Sequence, residues 1–428
     1  MNQSPKFTAP RGTQDILPEE IHYWQHIEHA CEKIFAQYGI SEIRTPIFES
    51  TELFARGVGD DTDIVSKEMY TFNDRKNRSM TLRPEGTASI VRAYLESEMS
   101  HRPGLTKLWY RGPMFRYERP QAGRYRQFHQ IGVEYLGADT PLCDAEMIGL
   151  TAHLFSHLGL SDIEIKINSV GDSVCRPVIR ERIKYFLGNN LKYLCSDCQT
   201  RFEKNPLRIL DCKNPKCQSY FAGMPDLTST LCQPCQDHLN SVMNYLTEMK
   251  IDFKVDTRLV RGLDYYQRTV FELVSNKLGA QNALCGGGRY DNLVQELGGN
   301  PTPAVGFAFG LERAVAILKE QKLKMQNLCD QNLLIVTLGE PARHKGMAFV
   351  HELRLEGLCA QINLGASENL KNIMKKANDG GFQYVLIIGD TEIEKKAAVL
   401  KEMESGKQTQ IKFSHLIPTI LKQIKKVN

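Results

Sequence analysis

The sequence predicts an α+β protein: a strand-and-helix core followed by a separate α/β domain. Three observations predict it. "KLWYRGPMFRYE" and "RQFHQIGVEYLG" read as strand arms joined by the polar "RPQAGRY", which makes a long hairpin. "TRLVRGLDYYQRTVFELVS" has strand character, rich in Val, Tyr and Phe. After Lys324 the pattern changes to regular alternation: "NLLIVTLG", a helix to Glu356, "CAQINLG", a helix from Asn369, then "YVLIIGD".

The remaining elements follow in order. Ile21, Trp24, Ile27, Cys31, Ile34, Phe35 and Tyr38 recur at helical spacing, and Gly39 supplies a stop. "SEIRTPIFES" is an extended segment broken by Pro46. "MTLRPEGTASIVRAYLES" reads as a strand, a turn at Pro84-Glu85-Gly86 and a helix, and "DIEIKINSV" as a strand. From Gly171 to about Lys250 the chain is Cys-bearing and irregular, then helical. "ALCGGGRYDNLVQELGG" reads as a Gly-rich turn into a helix, and "AVGFAFGLERAVAIL" as a strand and a helix. The expected organisation is a core of residues 1–168 and 251–325, an insertion at 169–250 and a C-terminal domain at 330–428, with "KEQKLKMQNLCDQN" as linker.

At 428 residues, 42% hydrophobic and 24% charged, this is the composition of a globular chain able to bury a large core. The net charge of +4 is unevenly spread. Between Lys395 and Asn428 eight Lys oppose only Glu402 and Glu404, a basic end suited to a polyanion. The N-terminal segment has no apolar run of signal-peptide type, and no apolar stretch approaches membrane-spanning length. A cytoplasmic protein with reduced thiols and no membrane partner is therefore expected.

"MFRYERPQAGRYRQFHQ" places Arg116, Arg119, Arg124 and Arg126 among Phe115, Tyr117, Tyr125 and Phe128. A guanidinium fork binds phosphate oxygens bidentately, and a purine can lie between an aromatic face and a guanidinium. The hairpin thus reads either as a nucleotide clamp or as an Arg-rich surface loop. The P-loop pattern is absent, as are H-I-G-H and K-M-S-K-S, so any nucleotide is bound by another architecture. Arg313 opens an otherwise apolar helix after a Gly-rich strand. Arg261, Asp264, Tyr265 and Tyr266 interrupt a strand that should be buried, and buried polar groups need partners. Together these point to a polar pocket on the face of a sheet.

Three of these segments resemble the signature motifs of class II aminoacyl-tRNA synthetases: "EIRTPIFE" the dimer-interface motif, the long hairpin the ATP-binding motif, and "AVGFAFGLERAVAIL" the third. "LVRGLDYYQRTVFEL" and "CGGGRYDNLV" are similar to the more specific motifs of the histidyl-tRNA synthetase family. The resemblance covers nearly the whole chain, including an anticodon-binding-like domain. It implies an antiparallel six- or seven-stranded sheet flanked by helices, a homodimer, and substrates histidine, ATP with Mg²⁺ and tRNA(His). It also implies roles. Arg116 would hold the α-phosphate, Arg124 and Arg313 the outer phosphates, and Phe128 would join the ATP site. Arg261 would lie against the α-phosphate and the histidine carboxylate. Glu85, Thr87 and Gln130 would surround the α-amino group, Glu134 and Tyr266 would contact the imidazole, and Tyr265 and Tyr290 would line the pocket. Arg119 and Gln121 are candidates for reading the tRNA 5′ end. The alternative is a non-catalytic paralogue, a regulatory subunit of histidine biosynthesis or a tRNA sensor. Such paralogues typically lose the arginines and the tail domain, and both are present here.

Six of the twelve Cys fall close together: Cys195, Cys198, Cys212, Cys217, Cys232 and Cys235. Two C-x₂-C pairs and one C-x₄-C pair have zinc-knuckle spacing. Spacing alone predicts a Cys₄ site without saying which four, and free thiols are the alternative. Resembling enzymes carry partial Cys sets here and need no metal for catalysis.

Overall fold

The structure is a computed structural model and describes residues 7–59, 62, 64–120, 123–160, 162–221, 223–275, 277, 282–321, 332–365 and 369–424. The chain divides into two compact units at 323/324. Gln121 and most of the expected linker lie outside the described residues.

The first unit opens with α1 (Ile21–Gln37), β1 (Ser41–Glu42), β2 (Phe48–Ser50), α2 (Thr51–Val58), β3 (Tyr70–Asn73), β4 (Ser79–Leu82) and α3 (Thr87–Glu96). The long hairpin follows as β5 (Thr106–Phe115) and β6 (Gln127–Leu136), then α4 (Pro141–His157) and β7 (Ile163–Ser169). The insertion contributes α5 (Cys175–Leu187), α6 (Ser196–Lys204), α7 (Pro215–Phe221) and α8 (Gln233–Glu248). The core resumes with β8 (Lys254–Val255), β9 (Gln267–Ser275), β10 (Ala283–Arg289), α9 (Leu293–Glu296), β11 (Ala304–Gly310) and α10 (Leu311–Glu320).

Among the described residues these strands form one eight-stranded sheet in the order β1-β5-β6-β11-β10-β9-β7-β8. Its six central strands are antiparallel throughout. Two-residue strands β1 and β8 add in parallel at the edges, which is why eight strands are seen where six or seven were expected. Helix α1 buries Trp24, Ile27, Ala30, Cys31, Ile34 and Phe35, the stripe its sequence spacing requires. A separate three-stranded sheet, β2-β4-β3, leaves Phe48 and Phe72 exposed, with ring centroids 6.1 Å apart.

Two expectations fail instructively. The run Gly286-Gly287-Gly288 is not a turn; it is the buried middle of β10. Neighbours approach where side chains would stand: a Cβ on Gly287 would lie 2.4 Å from the Gly306 carbonyl and 2.6 Å from the Phe271 ring. Nor do Arg261, Asp264, Tyr265 and Tyr266 interrupt a strand, since β9 starts only at Gln267. They occupy an irregular loop whose Asp264 and Tyr266 carbonyls accept hydrogen bonds from Arg176 of α5. That partner lies outside the local sequence, so strand propensity does not decide the backbone there.

The second unit comprises β12 (Leu333–Thr337), α11 (Glu340–Leu355), β13 (Ala360–Ile362), α12 (Leu370–Asp379), β14 (Tyr384–Ile388), α13 (Asp390–Glu394), β15 (Ala397–Glu402), β16 (Gln408–Lys412) and α14 (Leu416–Ile424). Its sheet runs β13-β12-β14-β15-β16, parallel across the first three strands and antiparallel beyond. Apolar clusters cover both faces, so β12 is buried along its whole length, as parallel strands are. Asn369 caps α12 by accepting the Asn372 N–H at 2.9 Å. No helix among the described residues is long and apolar enough to cross a membrane.

The packing around β10 makes a direct prediction. Gly287→Ala forces a methyl group into backbone and ring atoms and should lower unfolding stability by about 1–3 kcal/mol. Urea denaturation checks it, and an unchanged midpoint would contradict the packing described.

Candidate active site

The site begins with strand register. Gln130, Gly132 and Glu134 alternate onto one face of β6. In the paired rows stand Gly306, Ala308 and Gly310 on β11, and Gly286 and Gly288 on β10. Six of these eight positions are Gly or Ala, so the sheet face forms a floor with room above it. The cleft over this floor has a volume of about 250 Å³.

Large polar groups enter that space where glycine yields it. The Arg261 guanidinium lies on Gly286, where a Cβ would be 2.1 Å from one of its nitrogens. Its Nη1 donates to Glu272 Oε1 at 2.6 Å, while its buried Nε finds no acceptor among the described residues. Gly306 makes room for the Glu134 carboxyl, since a Cβ there would be 1.8 Å from Oε2. Gly86 and Gly132 flank the ring of Tyr110, which also lines the cleft.

One end of the cleft is acidic and aromatic. Glu134 is 1% exposed; it accepts from Thr87 Oγ1 at 2.7 Å and from the Tyr290 hydroxyl. Glu85 accepts the amides of Thr87 and Ala88 at 2.7 and 2.9 Å, at the start of α3. Burial raises the Glu85 pKa above the ordinary carboxyl range. For Glu134, burial pushes it up to about 8, with the negative charge of Glu85 adding to the effect and the Tyr290 and Thr87 hydrogen bonds opposing it. Tyr265 and Tyr266 pack with ring centroids 4.7 Å apart, and Tyr265 meets Tyr290 edge-on at 5.5 Å. The Gln130 side-chain oxygen is buried without a partner among the described residues.

The other end is cationic. Arg116 donates from Nε to the Pro84 carbonyl at 2.8 Å, and its guanidinium carbon lies 5.2 Å from the Phe128 ring centroid. Arg124 pairs with Glu118 at 3.1 Å. Arg313 donates to the carbonyls of Gly123 and Ala283. Its pKa is lowered by burial and then by the neighbouring Arg124 cation, with the Glu118 and Glu272 carboxylates opposing. Glu312, next to it, is held by the His129 backbone N–H at 2.8 Å.

Carboxylates, tyrosines and arginines thus share one cleft over the sheet. A family model described as histidyl-tRNA synthetase matches residues 12–181 and 225–314. The chain belongs to the histidyl-tRNA synthetase family. A second model, the anticodon binding domain, matches residues 332–423. The histidine–tRNA ligase of Desulfitobacterium hafniense is 49% identical over 416 residues, covering 97% of this chain and 98% of that protein. That of Clostridioides difficile is 44% identical over 417 residues, covering 97% and 99%. The crystal structure of apo Staphylococcus aureus histidyl-tRNA synthetase superposes with a TM-score of 0.81 at 37% identity, covering 97% of this chain and 99% of that one.

Within this member of the family, Glu85, Thr87, Arg116, Arg124, Phe128, Gln130, Glu134, Arg261, Tyr265, Tyr266 and Arg313 all line the one cleft. Tyr290 does not. It stands behind the wall, 1% exposed, and reaches the pocket only through Glu134. Sequence reading missed Tyr110, Glu272 and Glu312, which meet residues from other elements, and also Glu118, which pairs with Arg116 and Arg124 inside the hairpin loop itself. The Cys set is also rearranged. Cys195, Cys198, Cys212 and Cys217 form one tetrad, whereas Cys232 and Cys235 join Asp172 and Cys175, two residues the sequence did not single out.

The Glu134 environment has a pH consequence. Its raised pKa means the native state holds a proton that the unfolded chain has lost, so stability falls as pH rises from the ordinary carboxyl range through about 8. Glu134→Gln removes that titration. The variant should melt close to wild type at about pH 5 and above it at about pH 9. An identical melting difference at both pH values would contradict the raised pKa.

Proposed function

We propose that this chain joins histidine to tRNA(His) in two ATP-driven steps. The carrying observation is the convergence of Arg116, Arg124, Arg261 and Arg313 on the same cleft as Glu134 and the tyrosines. In the first step a histidine carboxylate oxygen attacks the α-phosphorus. The bond to the bridging oxygen breaks, and pyrophosphate leaves with that electron pair. In the second, a terminal ribose hydroxyl oxygen attacks the activated carbonyl, the carbonyl's bond to the phosphate oxygen breaks, AMP leaves with that electron pair, and the hydroxyl proton passes to solvent.

The residue types suit this reaction, which needs positioning and charge stabilisation rather than a protein nucleophile. Arg116 and Arg261 serve the α-phosphate, and Arg261 also meets the substrate carboxylate through its unpartnered Nε. Arg124 and Arg313 take the outer phosphates, with Phe128 beside the base. The hard oxygens of Glu118 and Glu312 suit Mg²⁺, which offsets phosphate charge when bound. Glu85, Thr87 and the idle Gln130 oxygen receive the α-ammonium group. Glu134 and Tyr266 face the imidazole, with Tyr265 beside them and Tyr290 steadying Glu134. Paired polar groups of this kind reject analogues lacking either ring nitrogen.

The C-terminal unit and its lysines suit the phosphate backbone of tRNA, and Arg119, exposed at the hairpin tip, is free to approach its 5′ end. Charging tRNA for protein synthesis assigns the chain to the cytoplasm. The non-catalytic alternative is disfavoured because it would not need Arg116, Arg261 and Arg313 kept together over the cleft.

Histidine-dependent exchange of pyrophosphate into ATP tests the reading. Wild type should exchange, and Arg261→Ala should slow exchange by about 10²–10³-fold while shifting histidine KM much less. Background-level exchange by wild type would favour the sensor. Equal losses in both parameters for the variant would remove Arg261 from the transition state.

We also infer a homodimer. Phe48 and Phe72 are 52% and 43% exposed and adjacent on the small sheet beside Pro46, and two exposed aromatic rings side by side suit an interface. Light scattering should give a dimer mass for wild type and a monomer mass for Phe48→Asp/Phe72→Asp. A wild-type monomer would refute it.

A further inference from the structure

The insertion packs its thiols into a small core rather than scattering them. Cys175, Cys198, Cys217 and Cys235 are each 1% exposed or less. Two sets of ligating atoms each lie within 4.8 Å of one another. Cys195 and Cys212 sulfurs are 3.8 Å apart, the edge of a tetrahedron with zinc–sulfur bonds of about 2.3 Å.

The two sets repeat one local device. Cys195 precedes α6 with φ −66° and ψ 160°, and Cys232 precedes α8 with φ −65° and ψ 158°. In each case the third residue onward is again Cys. The backbone N–H of the first Cys donates to a sulfur from another segment: Cys195 to Cys217 at 3.2 Å, Cys232 to Cys175 at 3.0 Å. Such N–H donors stabilise thiolate rather than thiol. Buried reduced Cys can pack simply as small hydrophobes, but the second set also holds a carboxylate: Asp172 accepts the Val174 and Cys175 amides at the start of α5, lies 3.7 Å from Arg268 and stands 3.9 Å from the Cys232 sulfur.

We propose that the insertion holds two zinc ions, one on Cys195, Cys198, Cys212 and Cys217, the other on Asp172, Cys175, Cys232 and Cys235, and that the second braces the amino-acid pocket. On metal binding each thiol becomes thiolate and its proton passes to solvent. The family model leaves residues 182–224 unmatched, the segment carrying the first tetrad, whereas all four ligands of the second site fall in matched segments. Bracing follows from chain connectivity. Cys175 opens α5, and the next residue, Arg176, donates to the carbonyls of Asp264 and Tyr266. Gly171, beside Asp172, accepts the Arg268 N–H at 2.9 Å. The second site therefore grips both ends of the segment carrying Tyr265 and Tyr266.

The bracing rests on the pocket assignment above; the metal sites do not, and metal content and spectra need no activity. Full-length protein purified without chelator should carry about two zinc per chain by elemental analysis. Cys212→Ser/Cys217→Ser should carry about one and keep histidine KM within about twofold. Cys232→Ser/Cys235→Ser should carry about one and raise histidine KM by about tenfold or more. Asp172→Asn keeps an oxygen for the Val174 and Cys175 amides, so it should fold yet lose the second zinc. Cobalt exchanged into the first double variant should show the thiolate charge-transfer and visible bands of a tetrahedral ion. Below about 0.2 zinc per chain in wild type, iron in its place, or no cobalt bands overturns the metal sites. Lost zinc with unchanged histidine KM in Cys232→Ser/Cys235→Ser overturns the bracing alone.

Discussion

A guanidinium can lie flat on a β-sheet only where the sheet has no side chains beneath it. That constraint orders the whole first unit. Gly286 carries Arg261, Gly306 admits Glu134, and Gly86 and Gly132 bracket Tyr110. Three antiparallel neighbours, β6, β11 and β10, align Gly132, Gly306 and Gly286 in neighbouring rows. The cost is real, because glycine loses more backbone freedom on folding than other residues and packs nothing. The flanking helices and the far face of the sheet must offset it, and Phe271, Phe307 and Phe309 are each no more than 1% exposed.

A second buried arrangement stabilises the sheet from beneath. Arg289 and Asp144 are fully buried and paired, Thr269 Oγ1 donates to Asp144 Oδ2 at 2.6 Å, and His238 Nε2 lies 2.6 Å from the same oxygen. The hydrogen bond from His238 and the Arg289 charge overcome burial and hold the Asp144 carboxyl below its ordinary pKa. Four elements, α4, α8, β9 and β10, are joined through this one carboxylate. Removing one member of a buried pair costs about 3–5 kcal/mol, since the other is left uncompensated. In this way α8, which closes the insertion, is fixed to the core.

Much of this was legible in the sequence. The hairpin arms, the stripe of α1, the alternating C-terminal unit and the convergence of distant arginines all follow from periodicity, residue chemistry or resemblance. What was not legible has a common cause. Glycine signals a turn when read locally, but in β10 it answers atoms from β9, β11 and a loop far along the chain. The loop bearing Tyr265 and Tyr266 takes its shape from Arg176. Asp172 and Cys175 look unremarkable until Cys232 and Cys235, some sixty positions away, fold against them. Tyr290 was expected to line the pocket but stands one layer behind it, reaching it only through Glu134, and sequence alone does not separate a wall from its support.

The bare floor also limits how the cleft can change. At Gly306 the smallest possible side chain would displace the Glu134 carboxyl, and at Gly286 it would displace Arg261. Selectivity cannot drift by gradual enlargement or trimming from below, because the first increment already abolishes a contact. Any lineage, or any engineer, reshaping the cleft must work from the roof: the irregular stretch before β9, whose backbone is held by Arg176 rather than by strand pairing and where alteration can proceed by degrees.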